Sequence, residues 1–207
     1  MRRAAILASA LLVLSVVAGP ARAEAPGVVS GVVALDVVGP ALSGLGPVVV
    51  FLEPQEPLPA PAEPLPPTEI VQKNARFAPS FHVVTVGQRV VMPNADAIYH
   101  NVFSFSRPND FDLGLYAAGE SREVRFEHAG VVKTYCSIHE SMNGTILVVP
   151  TRHFAVVDAE GRFRLEGVPA GRYQLWVWCE KLPPTSRALT VVAGTSQLLT
   201  LPLIPSA

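Results

Sequence analysis

Apolar residues fall along this chain in short runs, and turn-forming residues separate the runs. Val, Phe, Tyr and Thr dominate stretches of five to eight residues, after which Gly, Pro, Asn or Asp intervenes. Beyond the first two dozen residues no stretch sustains a 3.6-residue period, so the pattern predicts strands. Candidate strands cover 28–35, 47–53, 68–73, 80–86, 88–93, 100–105, 122–127, 131–136 and 145–150, followed by 154–158, 162–167, 172–179 and 188–192. In the long run 172–179, alternation puts Tyr173, Leu175, Val177 and Cys179 on one face. Gln174, Trp176, Trp178 and Glu180 fall on the other. The predicted fold class is all-β, built of sandwiches.

Two stretches break the pattern. At the start, Arg2 and Arg3 precede an apolar run from Ala4 to Val17, and "ARA" closes it at 21–23. This is the layout of a secretory signal peptide, expected to be cleaved after Ala23. The apolar run is short against the roughly 20 residues that span a bilayer. No integral membrane segment is expected after signal removal, and the expected location is the periplasm. Residues 54–67, "PQEPLPAPAEPLPP", form the second break. Each proline removes a backbone donor, so this segment is predicted to be an extended linker or ordered surface loop rather than a central strand.

Charge narrows the function classes. Without Arg2, Arg3 and Arg22, 13 basic residues face 17 acidic ones, a net charge of −4 over 184 residues. A basic nucleic-acid surface is therefore not expected. In an oxidising compartment the two cysteines, Cys136 and Cys179, could pair, or each could serve alone.

Candidate chemistry concentrates in "YCSIHESMNG", residues 135–144. Cys136, His139 and Met142 stand at i, i+3 and i+6, and Gly144 lets the chain leave without a crowding side chain. A copper electron-transfer site uses two imidazoles, one thiolate and a long, weak thioether. His100, at the start of an apolar strand, could supply the second imidazole. Zinc remains open on Cys136, His139 and His100 alone, although the adjacent Met142 favours copper. His82, His128 and His153 lie in no ligand pattern, and Asp110 and Asp112 lack the further oxygens of a calcium loop. No serine sits in a nucleophile elbow and no HExxH is present, so an enzyme is not expected.

Two resemblances follow from these motifs. "DAEGRFRLEGVPAGRYQLWV" (158–177), with "GVVSGVV" (27–33) and "GPVVVFL" (46–52), resembles the transthyretin-like, or carboxypeptidase regulatory-like, β-sandwich. "FAPSFHVVTVGQRVVMPNADAIYHNV" and "FEHAGVVKTYCSIHESMNGTILV" resemble the cupredoxins of the plastocyanin, amicyanin and pseudoazurin type. Together these imply a cupredoxin-like Greek-key sandwich over 68–150. They also imply a small transthyretin-like sandwich, split between 26–53 and 151–203. The linear alternative is one domain over 27–150 and a tail domain over 151–207. The cupredoxin resemblance implies a type 1 copper cofactor cycling between Cu(I) and Cu(II). His100, Cys136 and His139 would be its strong ligands, Met142 its weak axial ligand, and Asn101 would bond near the cysteine loop. The whole chain resembles exported methylamine-utilisation-like proteins.

The implied function is single-electron transfer with a periplasmic redox partner protein. Copper storage or delivery to a copper acceptor, and a non-catalytic binding sandwich with a vestigial copper site, are the alternatives. One departure from the small electron carriers is "FDLGLY" (111–116), which is expected to cover the site or form a docking surface.

Overall fold

The computed structural model describes residues 25–35, 42–58 and 63–203. The proposed signal peptide, residues 1–23, lies outside the described residues, as does the 59–62 part of the proline-rich segment. The described chain is all-β apart from one short 3-10 turn, Leu42–Leu45. Its first strands are β1 (Gly27–Leu35), β2 (Val48–Pro54), β3 (Thr68–Glu69), β4 (Val71–Gln72), β5 (Phe77–Ala78) and β6 (Phe81–Thr85). Then come β7 (Arg89–Pro93), β8 (His100–Ser104), β9 (Phe111–Tyr116), β10 (Ser121–Arg125), β11 (Gly130–Tyr135) and β12 (Asn143–Val149). The last are β13 (Phe154–Val156), β14 (Arg162–Val168), β15 (Gly171–Cys179), β16 (Thr185–Val191) and β17 (Ser196–Leu203).

The strands enclose two main hydrophobic cores. Around one, a three-stranded sheet β14-β1-β17 and a four-stranded sheet β13-β2-β15-β16 contribute their buried faces. Alternation decides which residues enter it: Tyr173, Leu175, Val177 and Cys179 all do, as do Phe163 and Leu165 from β14. Parallel pairing of β1 with β17 closes one side. There Gly31 has no room for a side chain, because a Cβ would collide with the Leu199 carbonyl oxygen.

Around the other core lie the five-stranded sheet β6-β12-β11-β8-β9, the three-stranded sheet β10-β7-β3 and the small β4-β5 pair. Val84, Val90, Met92, Val102, Tyr116, Phe126, Val132, Cys136, Met142, Ile146 and Val148 fill it. The connections run β6 to β7 and β7 to β8 between sheets, so β6 and β12 become parallel neighbours although 57 residues lie between their nearer ends, Thr85 and Asn143.

The two units touch. The outward residues of β6 and β12, Phe81, Val83, Leu147 and Val149, cluster with Val49, Phe51, Phe154 and Trp178. Phe81 and Trp178 stack with ring centroids 5.7 Å apart, nearly parallel at 11°. The face of β15 opposite its core is thus an interface as well as a surface. Described parts of the proline-rich segment are tied down at several points. Gln55 N–H donates to the Arg172 carbonyl at 2.9 Å, and the Gln88 amide donates to the Pro66 carbonyl at 2.9 Å.

The sequence pattern and the structure differ in three places. The predicted strand 68–73 is two short strands joining different sheets. Residues 111–116 form a strand, β9, paired with β8. The strand β17 lies beyond the last predicted run, and of its four leucines only Leu201 and Leu203 are buried while Leu198 is exposed.

Candidate metal centre

Two turns of chain bring the candidate ligands together. His100 opens β8 and is fully buried, while the other side-chain donors sit on the hairpin that joins β11 to β12. That hairpin is closed by its own backbone: Cys136 N–H donates to the Met142 carbonyl at 3.1 Å, and Met142 N–H to the His139 carbonyl at 2.9 Å. The three-residue steps of the motif therefore wind around one tight loop. At its exit Gly144 is pressed between neighbours, and a Cβ would lie 3.0 Å from both the Ser80 carbonyl oxygen and Thr134 Oγ1.

Cys136 Sγ lies 3.9 Å from His100 Nδ1 and 3.9 Å from His139 Nδ1. All three donor atoms fall within 4.8 Å of one another. Metal–sulfur and metal–nitrogen bonds of about 2.0–2.3 Å put such donors about 3.5–3.8 Å apart. The two sulfur–nitrogen distances are therefore a few tenths of an ångström from closing on one ion. The two imidazoles meet edge to face, with centroids 4.8 Å apart and planes at 63°. Met142 is 1% exposed and shares its hydrophobic cluster with Cys136. The donor set, two nitrogens and a sulfur with a thioether in the same cluster, fits a soft or borderline transition metal.

Asp96 is the functional residue that pattern reading missed. Its Oδ2 accepts from His100 Nε2 at 2.8 Å and from Ala75 N–H at 2.8 Å, and its Oδ1 accepts from Asn74 N–H at 2.6 Å. With Nε2 donating, the His100 tautomer leaves the Nδ1 lone pair facing Cys136. Asn74 and Ala75 both have positive φ, 56° and 50°, and the Asp96 carboxylate ties together the two amides of that left-handed turn. Burial pushes the Asp96 carboxyl upward, but the bonds from Ala75, His100 and Asn74 outweigh it and hold it below the usual carboxylate range. The available signal was a carboxylate four residues before a candidate ligand, in a loop where periodicity says nothing.

The same loop is braced from within. Asn94, 1% exposed, donates to the Ile98 carbonyl at 2.8 Å and the Tyr116 carbonyl at 3.2 Å, while its Oδ1 accepts from Asp96 N–H at 3.0 Å. Asn101 Oδ1 accepts from the Ser137 amide at 2.7 Å and the Ser137 hydroxyl at 2.9 Å, so it links the His100 strand to the cysteine loop.

The 111–116 element is a strand. It is the edge strand of the ligand-bearing sheet, with Tyr116 opposite His100. Tyr116 is buried, donates to the Met92 carbonyl at 2.9 Å and bonds the amide of the fully buried Gln72. Burial pushes its phenol up to about 12. Leu115 of the same strand is exposed, together with Ile98, Tyr99 and Ile138 from the two ligand loops.

Other candidates separate from this cluster. Cys136 and Cys179 are both buried free thiols, each in a different core, and no disulfide joins them. His82 Nε2 meets Thr68 Oγ1 at 2.7 Å, and its burial lowers its pKa. His153 is buried at the junction of the two units, where burial also lowers its pKa. A cavity of about 710 Å3 opens there, lined by Arg125, Arg152, His153 and several prolines, and it contains none of the candidate ligands.

No protein-family model and no curated protein matches the chain. Among solved structures, a purple cupredoxin from Nitrosopumilus maritimus is similar at 27% identity, over 39% of this chain and 98% of that one, with a TM-score of 0.36. A reduced single-residue variant of amicyanin is similar at 19% identity, over 48% of this chain and 97% of that one, with a TM-score of 0.39. A second amicyanin variant, in its Cu(I) form, is similar at 19% identity over 40% of this chain and 81% of that one, with a TM-score of 0.38. Each likeness covers under half of this chain, and what can be said of the site rests on its geometry.

Proposed function

We propose that this protein is an exported type 1 copper protein that carries single electrons, with His100, Cys136 and His139 as strong ligands and Met142 as the weak axial one. The observation that carries this reading is the convergence of one thiol and two Nδ1 atoms in a site where His100 is fully buried and its tautomer is set by Asp96. Bound copper would supply a Cu(I)/Cu(II) couple. The chain's part is to keep the donors in place through a change of charge. Asp96 holds His100, Asn101 holds the cysteine loop through Ser137, and the loop's own backbone bonds fix Cys136 against Met142. A donor set that needs little movement between oxidation states suits transfer of electrons more than turnover of a substrate. His139 is only half-buried, and the exposed Ile98, Tyr99, Leu115 and Ile138 offer an apolar surface near it for a redox partner protein.

Copper storage or delivery to an acceptor is the second reading. It is favoured by the partial exposure of His139 and disfavoured by the burial of Cys136 and His100. The proposal includes export to the periplasm with cleavage after Ala23. It also includes a division into a copper-binding unit at 68–150 and a transthyretin-like sandwich at 26–53 with 151–203. The sheet pairings of β1 and β2 with β13, β14, β15 and β17 support that division.

Titration of the metal-free protein with Cu(II), followed by visible absorption and EPR, tests the function. An intense thiolate-to-copper band with narrow copper hyperfine splitting is expected, and it should vanish in Cys136→Ser. Copper bound without that band, or no binding at all, overturns the reading. Rapid reversible reduction distinguishes a carrier from a store.

A further inference from the structure

We propose that the sandwich unit is a clamp on the metal-binding hairpin, and that Trp178 and Glu180 are positioning residues for the ligand loop. The role rests on the metal reading above, while the clamp itself is a property of the metal-free chain. The key residue is Thr145, which lies three positions after Met142 and one after the crowded Gly144.

Two independent contacts from the sandwich reach it. One runs through aromatic rings. Phe81 is the register partner of Thr145 across the parallel β6–β12 pair, and the Trp178 indole stacks on the Phe81 ring at 5.7 Å. Behind that stack, Leu147 and Val149 of β12 are buried against Val49 and Trp178. The other contact is ionic. Lys133 Nζ donates to Thr145 Oγ1 at 2.9 Å and is paired with the Glu180 carboxylate. Lys133 and Thr145 are themselves cross-strand partners at the base of the hairpin. Trp178 and Glu180 bracket Cys179 at the end of β15, so one strand end delivers both contacts.

The consequence is mechanical. A hairpin loop held only at its own base can splay, because local opening needs few contacts to break. Here both strands of the base are gripped from outside, Lys133 on β11 and Thr145 on β12. Splaying the hairpin down to this pair therefore strains the packing between the two units. Ligand sets held in place by surrounding packing give the reproducible geometry that a metal centre needs.

Hydrogen exchange of the metal-free full-length chain tests the clamp, read at the Cys136 and Met142 amides whose carbonyl partners are Met142 and His139. Trp178→Leu should speed exchange at both amides by about tenfold or more through local opening. Glu180→Gln should give a smaller increase, and it removes a surface charge without threatening folding. Leu165→Ala is the control, since Leu165 lies in the sandwich core away from the interface. It should leave the loop amides unchanged while the protein remains folded. Unchanged loop exchange in both Trp178→Leu and Glu180→Gln overturns the proposal, as does an equal increase in Leu165→Ala. If the variants behave as expected but copper gives no charge-transfer band, the clamp stands and the metal reading falls. If the band forms and loop exchange is unaffected by the variants, the clamp falls and the metal reading stands.

Discussion

Replacing Asp96 by Ala isolates the part of the site that pattern reading did not supply. The carboxylate accepts three hydrogen bonds, from His100 Nε2, Ala75 N–H and Asn74 N–H. A bond to a charged group contributes about 1.5–3 kcal/mol, and a neutral one about 0.5–1.5. The Asn74 bond is exposed and water can replace it, so most of the loss comes from His100 and Ala75. Both of those bonds go to the charged carboxylate, so a destabilisation of about 3–6 kcal/mol follows. Water cannot easily replace Asp96 at His100, because the imidazole is fully buried. Urea denaturation of the metal-free variant measures the stability change. Nitrogen-15 NMR of the histidine rings reads the tautomer directly, and Asp96→Ala should leave His100 as a mixture of tautomers. Copper affinity should fall about 10–100-fold, the usual result of removing the group that orients a histidine ligand. Asp96→Asn retains one acceptor oxygen and should fall between the two. A loss below about 0.5 kcal/mol together with an unchanged His100 tautomer would refute the reasoning, since the hydrogen bonds would then be contributing nothing.

The other predictions address the axial ligand, pH and the interface. Met142→Leu keeps the apolar volume, so it should cost less than about 1.5 kcal/mol, retain copper and raise the reduction potential. His139→Ala should instead lose most of the affinity in the same titration, and equal losses would make Met142 a principal ligand. His82 and His153 have pKa values lowered by burial, so the folded state prefers their neutral forms. Their stabilising contribution is complete above the unfolded value of about 6.5 and is lost as pH falls through the lower folded values. The urea midpoint should therefore drop between pH 7.5 and 5, and the double variant His82→Gln/His153→Gln should flatten that slope. A fragment of residues 68–150 would expose the buried face of Phe81, Val83, Leu147 and Val149. Each such side chain gains about 1.5–3 kcal/mol on burial, so size-exclusion chromatography should show the fragment aggregated. A monodisperse fragment with full stability would show that the two units are independent.

What the sequence determined by itself is whatever depends on neighbouring positions. Period-two alternation placed Tyr173, Leu175, Val177 and Cys179 on one face, and all four are in a core. Spacing within one loop put Cys136, His139 and Met142 close together, since three-residue steps around a turn hardly need the rest of the fold. The strand β17 was missed for the same local reason, because its apolar residues are leucines interrupted by Pro202, without the valines and aromatics that mark the other strands.

The tertiary structure alone decided which distant segments meet. Alternation identified a second face on β15 but could not say what would cover Trp178, which packs on Phe81 almost a hundred residues earlier. Asp96 carries no periodic signal, and its role depends on a left-handed turn at Asn74 and Ala75 being folded back against it. Strand 111–116 was expected to be a cover or docking element, and pairing with β8 turned its Tyr116 inward opposite His100 while Leu115 stays exposed. A chain encodes alternation and loop spacing residue by residue. Sheet order and interface partners come from burying every apolar face at once, and only the folded chain meets that condition.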